Sequence, residues 1–114
     1  GTNKCMNRYR FNELSIGMME SFVVVITEDM MAKFNAITGD INPLHNNMDY
    51  AIEQGYKDKV VYGMLTAAFL STLAGVYLPG EKSLIHSVET NFVKPVYVGD
   101  KLRVVGKIVE SSNV

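Results

Sequence analysis

Hydrophobic positions recur along this chain in separate rhythms, and each rhythm predicts an element. Residues 21–27, SFVVVIT, form an unbroken β-branched and apolar run with strand character. Thr27 is suited to cap a helix, and Glu28 and Asp29 place anions in its first turn, where the dipole favours them. Met30, Phe34 and Ile37 then recur at helical spacing, and Gly39 supplies the stop. After a loop, GDINPLHN, the residues Met48, Tyr50, Ala51 and Ile52 predict a second short helix ending at Gly55. Residues 84–93 alternate Leu84, His86, Val88, Thr90 and Phe92 against the other face. Residues 101–109 alternate Leu102, Val104 and Ile108 with Arg103 and Lys107. Both read as strands, with Pro95 and Gly99-Asp100 punctuating the connection. Residues 1–19 are mixed and polar and read as a leading arm.

The architecture is decided by residues 63–78. Met64, Leu65, Ala67, Ala68, Phe69, Leu70, Leu73, Ala74, Val76 and Tyr77 fall on every side of a helix wheel before Pro79-Gly80 ends the run. A helix that is apolar all round must be covered all round. Consecutive strands after such a helix give an α+β class with an antiparallel sheet, and the sheet must curl around the helix to bury it. Three strands are few for a 16-residue helix. Either further strands follow Val114 or a partner subunit covers what remains.

Composition narrows the picture. The 114 residues contain no repeat, low-complexity tract or linker, so residues 1–114 read as one domain. A hydrophobic share of 47% argues against disorder. Eleven Lys and Arg against twelve Asp and Glu, with no basic block, exclude a phosphate-driven nucleic-acid binder. The apolar run is interrupted by Thr66, Ser71 and Thr72 and falls short of the ~20 residues of a membrane span, so no membrane partner is expected. Cys5 is the single cysteine, which leaves no intramolecular disulfide and no cysteine-based zinc site. With no secretory pattern at the start, the expected location is cytoplasmic.

The densest group of reactive side chains is the run Gly39-Asp40-Ile41-Asn42-Pro43-Leu44-His45. On a regular helix Asp40 and His45 would stand about 140° apart, by the ~100° step per residue. Pro43 forbids that geometry, because it disfavours the helical conformation at Asn42 and has no N–H of its own. A tight turn is expected instead, and a turn can bring a carboxylate and an imidazole to one point, a competent pair for deprotonating water. The same residues also suit a structural role, with Asp40 capping a turn and His45 capping the next helix. Spacing alone leaves both open.

Other chemistries fit less well. His45, His86, Asp40 and Asp49 form no recognised metal-ligand spacing, so no metal is expected. His86 sits in an alternating strand and reads as structural. No G-x-S-x-G surrounds Ser71 or Ser83. Among seven methionines, Met30, Met31 and Met64 occupy core-like positions and read as gap fillers.

The runs FNAITGDINPLHNNMDYA and VVYGMLTAAFLSTLAG closely resemble the MaoC-like, (R)-specific enoyl-CoA hydratase family, over residues of about 21–109. The resemblance implies the hot-dog fold, a curved antiparallel sheet wrapped around one long central helix. It implies that Asp40 and His45 are the catalytic pair holding a water, that Asn42 and Pro43 brace the turn, and that the Gly63 N–H binds the thioester carbonyl. The last role is physically apt, since Gly63 opens the long helix, where N–H groups are unsatisfied. Ser71 matches a polar helix position near the site, although a small residue facing a packed sheet explains it equally. Tyr62 stands where many relatives have His, which implies a different acyl pocket. Tyr62, Met64 and Lys94 are the expected substrate contacts. Lys94, Lys101 and Arg103 suit either coenzyme A phosphates or solvated strand ends. Relatives usually carry two more strands than this sequence displays.

The implied activity is a lyase of fatty acid metabolism, a hydratase/dehydratase adding water reversibly across the C2–C3 double bond of a trans-2-enoyl thioester. The substrate is carried on coenzyme A or acyl carrier protein, no cofactor is needed, and a homodimer or dimer-built oligomer is expected. A hot-dog acyl thioesterase, with Asp40 activating a water, and a non-catalytic acyl-thioester binding module are the alternatives.

Overall fold

Thr27 separates a strand from a helix. In the computed structural model, which describes residues 6–81 and 94–109, its backbone is extended (φ −116°, ψ 159°) and its hydroxyl accepts from the Met30 N–H at 3.2 Å. Strand β1 (Met19–Val25) thus gives way to helix α1 (Glu28–Thr38) with its first turn capped. Gly39 ends α1 at φ 70°, a conformation glycine adopts without a Cβ penalty, and its N–H donates to the Asn35 carbonyl at 2.7 Å. Both ends lie where the sequence places them, although β1 starts two residues earlier than expected.

The following loop is more ordered than a turn. Asn42 takes the extended setting required before proline (φ −55°, ψ 125°), and its side chain accepts from the Leu44 N–H at 3.0 Å. Proline is well tolerated at a first helical position, so a one-turn helix α2 (Pro43–Asn46) follows directly. Asn47 repeats the device by accepting from the Tyr50 N–H at 3.1 Å, and α3 (Met48–Glu53) begins. The capping role that the structural alternative assigned to His45 therefore belongs to Asn47.

The long helix is α4 (Gly63–Thr72), which continues as a π-helical turn over Leu73–Tyr77, fifteen residues in all. Exposure along it is uneven. Leu73 is buried, whereas Met64, Ala68 and Ser71 are exposed, and their i, i+4, i+7 spacing makes them one stripe. Strand β2 (Lys101–Lys107) pairs with β1. Ile26 exchanges backbone bonds with Gly99 and Asp100 at one end, and Ile108 with Gly17 and Met18 at the other, so the pair is antiparallel. The expected alternation holds, with Leu102 and Val104 inward of Lys101, Arg103 and Lys107. The expected strand over residues 84–93 lies outside the described residues.

The described residues fall into two compact units, and β1, α4 and β2 contribute to both. One unit holds residues 6–23, 68–81 and 103–109. Here Phe22 stacks on Tyr77 at 4.9 Å with the rings 6° from parallel. A Cβ added to Gly106 would press on Leu73 at 2.8 Å, so glycine permits this strand–helix approach. The leading arm is tied down. Asn7 N–H donates to the Val76 carbonyl at 2.7 Å, Tyr9 N–H to Pro79 at 3.1 Å, and Glu81 N–H returns to Asn7 at 2.9 Å. The other unit holds residues 24–67 and 94–102 and is centred on Ile26, Met31, Ala51, Val61 and Tyr62. It carries the reactive loop.

Candidate active site

The loop from Asp40 to His45 hangs from residues 60–62, a segment that is itself held in place. Val61 N–H donates to the Val96 carbonyl at 2.7 Å, and Val60 bridges to Tyr97. At the far end of the loop, Val60 N–H donates to the Leu44 carbonyl at 3.0 Å, while the Val60 carbonyl accepts from His45 Nδ1 at 2.7 Å. At the near end, the Tyr62 hydroxyl donates to the backbone carbonyl of Asp40 at 3.1 Å. Asn35 reinforces that contact, with Nδ2 donating to the same carbonyl at 2.7 Å and to the Tyr62 hydroxyl at 3.0 Å. Both expected members of the pair are thus anchored to one short segment.

The bond from His45 fixes its chemistry. A carbonyl oxygen has no proton to give, so Nδ1 must carry the hydrogen. In the neutral ring Nε2 is then an acceptor, and it has no partner among the described residues. Asp40 is exposed, and one carboxylate oxygen, Oδ1, accepts from the Asn42 N–H at 3.1 Å. Its second oxygen takes no hydrogen bond among the described residues. A positioned imidazole acceptor and a carboxylate with one free oxygen are what abstraction of a proton from water requires.

An open cleft of about 450 Å³ adjoins the loop, lined among others by Asn35, Ile41, His45, Lys59 and Tyr62. The α1 residues on its wall are Glu28, Met31, Ala32 and Asn35, a face of i, i+3, i+4 and i+7 spacing. Of the expected apolar positions, Met30 and Phe34 are half-buried, with Phe34 against Tyr62 at 4.8 Å, whereas Ile37 is 82% exposed. Only Met31 of the four wall residues is a large apolar residue, so the wall leaves no hydrophobic rhythm in the sequence. Lys59 pairs with Glu28 at 3.0 Å across it.

The remaining expected residues are distributed unevenly. Asn42 and Pro43 brace the turn as cap and first residue of α2. Gly63 opens α4, and its N–H has no acceptor among the described residues, because the first helical bonds run from Leu65 and Thr66 to the Tyr62 carbonyl at 3.0 and 3.2 Å. Asp40 is not itself on the cleft wall, but its neighbour Ile41 and its anchors Asn35 and Tyr62 are. Tyr62 lines the cleft yet is only 3% exposed, with its hydroxyl committed to Asn35 and Asp40. Met64, 64% exposed, Lys94 and Ser71 are exposed and are not among the lining residues. No group of three or more His, Cys, Asp or Glu suited to a metal occurs among the described residues. No helix among them is long and apolar enough to cross a membrane.

Residues 17–114 match the MaoC like domain, nearly the whole chain. The chain belongs to the MaoC-like hydratase/dehydratase family. An (R)-specific enoyl-CoA hydratase of Rhodospirillum rubrum is 33% identical to this MaoC-like domain over 90 residues, 79% of the chain and 62% of that protein. A mitochondrial 3-hydroxyacyl-[acyl-carrier-protein] dehydratase of Solanum lycopersicum is 31% identical over 91 residues, 80% of the chain and 54% of that protein. The chain therefore spans between a half and two thirds of these relatives. The unliganded R-hydratase PhaJ1 of Pseudomonas aeruginosa superposes with a TM-score of 0.86 at 29% identity, over 93% of this chain and 68% of that one. The MaoC-like domain has the α+β hot-dog fold of these hydratases, with the fifteen-residue helix as its central helix.

Proposed function

We propose that this MaoC-like domain adds water reversibly across the C2–C3 double bond of a trans-2-enoyl thioester, giving the (R)-3-hydroxyacyl thioester. His45 Nε2 and the free oxygen of Asp40 orient one water between them. The water oxygen bonds to C3 as the pair takes its proton, and C2 receives a proton as the enolate collapses. The C3 hydroxyl and the new C2–H account for both halves of the water. The thioester carbonyl is the electron sink, and negative charge developing on its oxygen meets the Gly63 N–H at the start of α4.

The observation that supports this reading is the 2.7 Å bond from His45 Nδ1 to the Val60 carbonyl, which leaves Nε2 free to accept a proton. Support also comes from relatives named as an enoyl-CoA hydratase and an acyl-carrier-protein dehydratase, two directions of one reaction on two carriers. Incubation with crotonyl-coenzyme A tests it. Loss of the enoyl absorbance without release of free thiol is the expected result. Release of thiol would make the protein a thioesterase, and binding without either change would make it an acyl-thioester binding module.

A further inference from the structure

Tyr62 touches both ends of the reactive loop by two different parts of its side chain. The ring lies against the His45 imidazole, with centroids 4.2 Å apart and planes 32° from parallel, and against Phe34 at 4.8 Å on α1. The hydroxyl donates to the Asp40 carbonyl at 3.1 Å and accepts from Asn35 Nδ2 at 3.0 Å. Because Asn35 also donates to the Asp40 carbonyl at 2.7 Å, these three residues close a small hydrogen-bonded ring. Tyr62 is 3% exposed, and its hydroxyl is engaged on both sides, by Asn35 and by the Asp40 carbonyl. Its carbonyl begins α4 immediately before Gly63.

We propose that Tyr62 is the positioning residue of this site, holding Asp40 through its hydroxyl and His45 through its ring so that one rigid side chain sets the spacing of the pair. This inference rests on the proposed roles of Asp40 and His45. The two functions are separable because they sit on different atoms. The hydroxyl acts on the residue 40 backbone, and Asp40 in turn holds the Asn42 N–H at 3.1 Å, so loss of the hydroxyl loosens the entry to the loop. The ring acts on the imidazole plane while the Val60 carbonyl fixes the Nδ1 end, so loss of the ring lets His45 pivot about that bond. Small misplacements of reacting groups are costly to rate and cheap in binding.

The test compares Tyr62→Phe, Tyr62→Leu, Asn35→Ala and Asp40→Asn, with crotonyl-coenzyme A as the substrate and amide hydrogen exchange as a readout independent of activity. Tyr62→Phe keeps the ring and should lower kcat about 10- to 100-fold with KM changed by less than about 2-fold. It should also speed exchange at the Asn42 amide roughly 10-fold while leaving the interior of α1 unchanged. Adding Tyr62→Phe to Asp40→Asn should cost little beyond Asp40→Asn alone, because the hydroxyl acts through Asp40. Asn35→Ala should reproduce the exchange change in weaker form, which keeps the inference testable if Tyr62→Phe folds poorly. Tyr62→Leu removes the ring contact with His45 as well and should lower kcat further than Tyr62→Phe does. Normal kcat and unchanged Asn42 exchange in Tyr62→Phe, beside an inactive Asp40→Asn, would overturn the positioning role and leave the proposed function standing. Full activity in Asp40→Asn would overturn that function instead, and the exchange comparison would still decide whether Tyr62 holds the loop.

Discussion

His45 directs its Nδ1 to the Val60 carbonyl at 2.7 Å, and this contact determines which nitrogen of the ring is free to work. The bond crosses fifteen residues of chain and joins the end of the reactive loop to the segment that starts the central helix. Two residues further on, Tyr62 binds the start of the same loop. The pair is therefore held from outside the loop, while Pro43 and the Asn42 cap stiffen it from within.

The proposed oxyanion donor gives a direct test. Gly63→Pro removes the one N–H that the thioester oxygen would meet and leaves the side chains of the pair untouched. Proline is accepted in a first helical turn, so the variant should fold with a melting temperature close to the parent. Its turnover should fall on the order of 10²–10³-fold. A folded variant with normal turnover would show that another donor serves the oxygen.

Thr66 offers a test of packing. Its hydroxyl oxygen is buried on α4 and is the one such side-chain atom without a hydrogen-bond partner among the described residues. An unpaired buried hydroxyl costs about 1–3 kcal/mol. Thr66→Val keeps the shape and removes the orphan, so denaturant unfolding should show a gain of about 1 kcal/mol. A loss of that size would reveal a partner for the hydroxyl.

Tyr9 provides a pH signature. Its hydroxyl donates to Glu20 at 2.8 Å, and that hydrogen bond, followed by burial and the negative charges of Glu20 and Glu13, raises its pKa above the ordinary value. The folded value lies above the unfolded one, so the contact stabilises the fold below the usual tyrosine pKa of ~10 and is lost as pH rises through the folded value. In a ring-resolved NMR titration, Glu20→Gln should move the Tyr9 midpoint down. An unmoved midpoint would contradict the contact.

Much of this was legible in the sequence. Thr27, Gly39, Pro43 and the alternation of β2 announce themselves because each acts through local backbone geometry or through a regular rhythm. Asp40 and His45 stood out through composition and resemblance, since spacing alone left a capping role open. The anchors were not legible. Tyr62 and Val60 act through contacts 22 and 15 residues away, and Asn35 works from the polar wall of α1, where no rhythm marks it. The capping role of Asn47 is masked by two neighbouring asparagines, Asn42 and Asn46, with equal capping propensity. Tyr62, expected as a substrate contact, lines the cleft with its hydroxyl engaged by Asn35 and the Asp40 carbonyl.

Assembly is the next expectation. Met64, Ala68 and Ser71 form an exposed stripe on α4, and Met19, Val23 and Val25 are exposed along β1. Apolar surface of this kind favours association. We expect a homodimer or a larger dimer-built assembly, with light scattering at micromolar concentration giving at least twice the 12.7 kDa chain mass. A monodisperse species of single-chain mass would refute it.

If Asp40 and His45 act on one water, the hydration rate of crotonyl-coenzyme A in Asp40→Asn, His45→Ala and the double variant reports it. Each single change should lower kcat roughly 10²–10⁴-fold, the usual scale for general acid–base groups, with little change in melting temperature. The double variant should be far less than multiplicatively worse, because both groups serve the same step. A folded His45→Ala protein that hydrates crotonyl-coenzyme A at the parent rate would contradict a water shared by Asp40 and His45.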